Sequence, residues 1–125
     1  MLGSAAVMAL VPSTDLTRAR RFYEGTLGLH VVGVDSYALV LNGIRVALVP
    51  EFTPQPFTVL GWTVPDLRGT LAGLTGRGVA FLRFDGMEQD ADGVWTTPNG
   101  DLVAWFHDPD GNTLSLTQFA AGQRP

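Results

Sequence analysis

The same order of elements is spelled twice in this chain. An Asp-Leu pair opens a helical pattern at Asp15-Leu16 and again at Asp66-Leu67, 51 residues later. Each pattern ends at a glycine followed by an apolar, strand-like run: Gly28-Leu-His-Val-Val in one half, Gly78-Val-Ala-Phe-Leu in the other. Each half then closes on a tight turn and a β-rich segment. These are Asn42-Gly43 before Ile-Arg-Val-Ala-Leu-Val, and Asp110-Gly111-Asn112 before Thr-Leu-Ser-Leu-Thr. Repeated supersecondary units leave this kind of self-similarity. A chain of 125 residues is too short for two ordinary domains. The expectation is therefore one domain of two half-modules sharing a core, over residues 5–50 and 57–119. A proline-rich linker over 51–56 joins them.

Within each half the pattern reads as strand, helix, then three strands. In the first, residues 6–11 form a short apolar strand, and Ser13 and Thr14 offer hydroxyls for a helix N-cap, with Asp15 favourable beside the positive end of the dipole. Leu16, Ala19, Phe22, Tyr23 and Leu27 recur at helical spacing until Gly25 and Gly28 stop the helix. Strands follow at 30–34, 37–41 and 45–49, with Asn42-Gly43 as a hairpin turn. In the second half a strand at 58–64 precedes a helix capped by Asp66 and striped by Leu67, Leu71 and Leu74. Four later strands, one more than in the first half, are expected at 80–84, 94–97, 102–107 and 113–118, and the tail from 120 to 125 is expected to fray.

Composition removes several chemistries. With no cysteine, disulfides, zinc–thiolate sites, iron–sulfur clusters and thiol nucleophiles are excluded. A net charge of −4 argues against a nucleic-acid partner. The longest apolar run near the N-terminus, residues 5–11, is far below the ~20 a membrane span needs, and no basic segment precedes it. A soluble cytoplasmic protein with no membrane partner is the expectation. Asp85, Glu88, Asp90 and Asp92 crowd one segment and read as a solvated loop. No nucleophile elbow, phosphate loop or dinucleotide fingerprint occurs. His30 reads as surface or packing. His107 reads as a strand-end histidine beside a turn whose Asp108 and Asp110 cap backbone amides.

Two segments carry a family resemblance. Val11-Pro-Ser-Thr-Asp-Leu-Thr-Arg-Ala-Arg-Arg-Phe-Tyr-Glu-Gly-Thr-Leu-Gly-Leu29 resembles the opening signature of the vicinal oxygen chelate superfamily, and Trp105-Phe-His-Asp-Pro-Asp-Gly-Asn-Thr-Leu-Ser-Leu116 resembles its closing one. With Gly61-Trp-Thr-Val-Pro-Asp-Leu67 the match spans nearly the whole chain. That superfamily holds glyoxalase I, bleomycin-resistance proteins, fosfomycin-resistance enzymes and extradiol dioxygenases. The resemblance implies an α+β fold of two βαβββ modules, curled into an open, mixed, eight-stranded barrel-like sheet with the helices outside. It says less about activity, because this scaffold hosts unrelated chemistries.

Enzymes of the family hold one divalent ion on the first and last strand of each module. The matching positions here are Ser115, Ala47, Val59, and Val7 or Met8, the last pair because the loop at Pro12 reads as one residue long. Hydrocarbon and one neutral hydroxyl are poor ligands for such an ion. No metal, no cofactor and no catalytic residue is expected.

If those positions face inward, alternation brings their neighbours with them. Val7, Ala9, Val11, Arg45, Ala47, Val49, Val59, Gly61, Thr63, Thr113, Ser115 and Thr117 would line a void, while Met8, Leu10, Leu48, Leu60, Trp62, Leu114 and Leu116 would pack under the helices. Tyr37, Trp95 and Trp105 add planar surfaces on which a flat ligand can stack. The ligand-binding set expected is Val7, Ala9, Tyr37, Ala47, Val59, Gly61, Trp95, Trp105 and Ser115. The function expected is metal-free binding of a small aromatic or cationic molecule by a homodimer, close in character to the bleomycin-resistance branch. The alternatives are a glyoxalase- or dioxygenase-like metalloenzyme with an atypical site around His107, and a non-catalytic interaction module.

Overall fold

The computed structural model of the chain describes residues 1–122. Among the described residues hydrogen bonding sorts eight strands into two four-stranded sheets and no closed barrel. The sheets belong to two compact units, Met1–Pro54 and a second that begins at Gln55. Each unit is a strand, a helix and three further strands, the α+β arrangement that the repeat predicts. Residues 123–125 of the expected frayed tail lie outside the described residues. Ala120 is held, its N–H donating to Asp101 Oδ1 over 2.8 Å. Among the described residues no helix is long and apolar enough to cross a membrane.

The first unit contains β1 (Ala9–Ser13), α1 (Leu16–Arg20), β2 (Val31–Val34), β3 (Ala38–Leu41) and β4 (Ile44–Leu48). Its strand order is β1-β4-β3-β2, with β1 parallel to β4 and the other pairs antiparallel. Asp15 itself is the N-cap of α1, its carboxylate accepting from Arg18 N. Ser13 does not cap; its buried hydroxyl accepts from Asp15 N and donates to Asp15 O, both at 3.1 Å. After one α turn the helix widens into a π-helical stretch, Arg21–Thr26, in which Leu27 N reaches back five residues to Phe22 O. Gly25 therefore lies inside the helical segment. Gly28, at φ +76°, ends it in a conformation side chains rarely adopt. Tyr23 in this stretch is fully buried, and Ala19 of α1 and Val11, Ala38, Leu39, Leu41, Ile44 and Val46 of the sheet, also buried, make up the unit's core with it.

The second unit contains β5 (Thr58–Thr63), α2 (Leu67–Gly76), β6 (Trp95–Thr96), β7 (Leu102–His107) and β8 (Thr113–Gln118), in the order β5-β8-β7-β6. Asp66 caps α2 as expected, accepting from Gly69 N. Leu67 and Leu71 of α2 are buried, as are Ala104, Phe106, Leu114 and Leu116 of the sheet. Phe106 is the centre of this core, stacked on Trp62 at 6.4 Å and tilted against Phe81 at 5.5 Å.

The strand expected at 80–84 is a single bridge, Phe81 to Phe106. A side chain supplies what a ladder would have supplied. Gln89 Oε1 accepts from Phe84 N, while its Nε2 donates to Leu82 O and Gly93 O, all within 2.9 Å. Arg83 adds bonds to the carbonyls of Gln89, Asp90 and Ala91. Beyond the bridge, where Leu82 N donates to Trp105 O over 2.8 Å, side chains rather than a ladder satisfy the backbone of this segment.

Candidate functional site

Alternation gives each sheet a face toward its helix and a face away from it. In the second unit Leu60, Trp62, Ala104, Phe106, Leu114 and Leu116 share the helix face. Gly61, Ser115 and Trp105 form one row across β5, β8 and β7 on the opposite face. Of the inward set expected for this half, Gly61, Thr63, Thr113, Ser115 and Thr117 lie on this face, with Val103 and Trp95 in the adjoining row, whereas Val59 falls in a bulge and has no register partner.

That row is built by close approach. A Cβ added to Gly61 would come nearer to Ser115 Oγ than real side chains approach any heavy atom, and would lie 3.2 Å from Ser115 O. The missing side chain makes room for the serine. Ser115 is only 9% exposed, one of the few buried polar residues of this unit. Gly61→Ala is expected to cost about 1–2 kcal/mol by overpacking. Adding Ser115→Ala should recover part of that loss, because the two side chains compete for one space. Urea melts of the single and double variants check it, and strictly additive losses would show that they do not compete.

A bulge between Thr58 and Leu60 in β5 sets Thr58 level with Thr113. The Thr58 hydroxyl then accepts from Trp105 Nε1 over 3.1 Å. Trp105 stacks with Trp95 at 6.3 Å and meets Phe84 edge-on at 5.4 Å. Beside Trp95 opens a hollow of about 500 Å³ lined by Phe84, Asp85, Gly86, Met87, Glu88 and Trp95. Phe84, Asp85, Met87 and Glu88 are lining residues that sequence reasoning missed, as it missed Thr58 as the partner of the Trp105 indole. Phe84 was concealed in a false strand, and the two acids in a run that reads as loop.

The structure splits that acidic run. Asp90 Oδ2 pairs with Arg68 at 2.9 Å and Asp92 lies 3.8 Å from the same guanidinium. Partial burial works to raise the Asp90 pKa. The N–H of Val94, Arg68 and the N–H of Asp92 outweigh it, and the carboxyl lies below its ordinary value. Asp85 and Glu88 have no such partners.

In the first unit the expected inward face is wrong for β1. Ala9 and Val11 pair with Ile44 and Val46, not with Arg45 and Ala47. Val11 is 1% exposed in the core, whereas Met8 and Leu10, expected under the helix, are 58% and 63% exposed. Ala9 thus shares the core face of β4, and Val7 precedes β1 and is exposed. The error is a one-residue slip, which turns a whole strand over. The loop at Pro12 is not longer than its counterpart: the 51-residue offset carries Val59 to Met8 and Trp62 to Val11. Ala47 lies level with Pro12 and Ala38. Tyr37 is exposed just before β3, its N–H donating to Asp35 Oδ1 over 2.7 Å. That bond and the one from Ala38 N hold the Asp35 pKa below the ordinary carboxylate value.

A family model for the Glyoxalase/Bleomycin resistance protein/Dioxygenase superfamily matches residues 5–116. The chain belongs to that superfamily. Its fold is similar to a crystal structure of a superfamily member from Sphaerobacter thermophilus, at 21% identity and TM-score 0.72, covering 94% of this chain and 99% of that one. A glyoxalase/bleomycin resistance protein/dioxygenase from Alicyclobacillus acidocaldarius follows at 18% identity and TM-score 0.69, covering 93% and 92%. A glyoxalase-related enzyme from Fulvimarina pelagi is 20% identical with TM-score 0.69, covering 92% and 88%. No curated protein matches the sequence. At these identities the likeness is one of fold.

The residues present do not fit the superfamily's metal. With β1 in its observed register the four positions are Met8, Ala47, Val59 and Ser115, which together offer one neutral hydroxyl and a thioether. Among the described residues no three His, Cys, Asp or Glu side chains group as metal ligands. Around His107, the carboxylate of Asp108 is committed to the following turn. Its Oδ1 accepts from Asp110 N and Asn112 N, and its Oδ2 from Asn112 Nδ2, at 2.9–3.0 Å.

Proposed function

We propose that this superfamily member binds a small organic molecule without a metal, in the manner of the bleomycin-resistance branch, and sequesters it. The observation that carries this reading is the row Gly61–Ser115–Trp105. Where relatives place an ion ligand, this chain has a largely buried serine with its neutral hydroxyl beside stacked indoles. A hydroxyl next to flat apolar surface suits an organic ligand with one polar group better than a cation needing several charged donors. The working form is a homodimer, whose contact would cover the exposed Met8 and Leu10. Small organic compounds, not nucleic acids or membranes, are its partners.

Titrating bleomycin and other flat, cationic drugs while following tryptophan fluorescence tests the binding. Saturable quenching in the micromolar range is the expected result; none at high micromolar ligand overturns it. Elemental analysis of protein purified without chelators should find nickel, zinc, manganese and iron well below one per chain. A stoichiometric metal would instead favour an enzyme with an atypical site.

A further inference from the structure

The geometry points to the hollow beside Trp95 as a recognition pocket for planar organic cations, with Asp85 and Glu88 as its charge-selecting residues. This rests on the ligand-binding reading above and adds the place of binding and the residues that select the ligand's charge. Its basis is the combination of an aromatic wall, two uncompensated carboxylates and a backbone held in place before any ligand arrives.

The wall comes first. Phe84 and Trp95 line the hollow, and both touch Trp105, so three rings form one continuous aromatic surface. The negative face of such rings attracts a cation, most strongly for tryptophan. The hollow, about 500 Å³, is broad and open, a shape that receives one face of a planar molecule rather than enclosing it.

The charges come next. Of the four acids in this segment, Asp90 and Asp92 are taken by Arg68. Asp85 and Glu88, the two that line the hollow, have neither hydrogen bond nor ion pair among the described residues. The other basic residue on this loop is also committed: Arg83 donates to the carbonyls of Gln89, Asp90 and Ala91. No local arginine neutralises the two carboxylates. An anionic ligand would meet their field unscreened, and a cation would be drawn to it.

The loop, finally, is preset. Three bonds from the Gln89 side chain tie Leu82, Phe84 and Gly93 together, and Met87 N closes a turn onto Phe84 O through Gly86 at φ +79°. A binding surface already ordered loses little entropy when the ligand arrives.

The test compares two probes of one shape, 10-methylacridinium and acridine, at mildly alkaline pH where acridine is neutral. Calorimetric titrations would use the full chain and its Asp85→Asn/Glu88→Gln variant. The cation should bind the unaltered chain about 10-fold more tightly than acridine. The variant should lose roughly that factor for the cation alone, and added salt should weaken only the cation. Both side chains are exposed and unbonded, so the variant should melt with the parent chain. Equal affinity for both probes in the unaltered chain, or an unchanged cation affinity in the variant, overturns the charge-selecting role while the ligand-binding reading stands. Binding of neither probe overturns the pocket's role, and the drug titration above decides the ligand-binding reading separately.

Discussion

Phe106→Ala is expected to lower the unfolding free energy by about 3–5 kcal/mol. The ring is fully buried and fills the space between Trp62 and Phe81 under α2. Its loss removes apolar contact and leaves a cavity that neighbouring strands, fixed by their ladders, cannot close. Against a total stability of about 5–15 kcal/mol this is a large share. Urea denaturation measures it directly. A loss below about 1 kcal/mol would mean that the second unit's core does not centre on this ring.

Trp105→Ala, one position earlier on β7, should do the opposite. Successive strand residues face opposite ways, so this indole lies on the face turned from the helix, in the row with Ser115. Its removal separates Trp95 from Phe84 and exposes the Thr58 hydroxyl. Affinity for flat cationic drugs should fall about 100-fold, the order expected when a central aromatic anchor is truncated. The stability cost should stay well below that of Phe106→Ala, since Trp105 is only part-buried. Fluorescence from the remaining tryptophans and a melt of the same sample read both quantities. Unchanged affinity would place the ligand elsewhere.

The repeat made the two-module fold legible, because the paired Asp-Leu caps and glycine stops act locally and leave their spacing in the chain. Faces of the second sheet were legible for the same reason: Gly61 and Ser115 alternate with Leu60, Trp62, Leu114 and Leu116 in a clean period of two. The face of β1 was lost to a supposed extra residue at Pro12, since apolar residues on both sides of 6–11 give alternation nothing to distinguish. The pocket at Phe84 was invisible for another reason. Gln89 and Arg83 hold that loop through bonds to carbonyls and a backbone N–H, which any sequence possesses, and no pattern of residue types announces them. Splitting the acids into bound and free pairs likewise depends on where Arg68 reaches from α2.

The hydrogen bond from Trp105 to Thr58 has a consequence for what the face discriminates against. An indole whose only donor is already engaged cannot reward a carbonyl or a carboxylate that approaches its edge. What remains to be touched is the ring plane. Compounds that depend on being gripped through an oxygen gain nothing there, whereas those that simply lie flat lose nothing, and the bulge in β5 has made that choice before any molecule arrives.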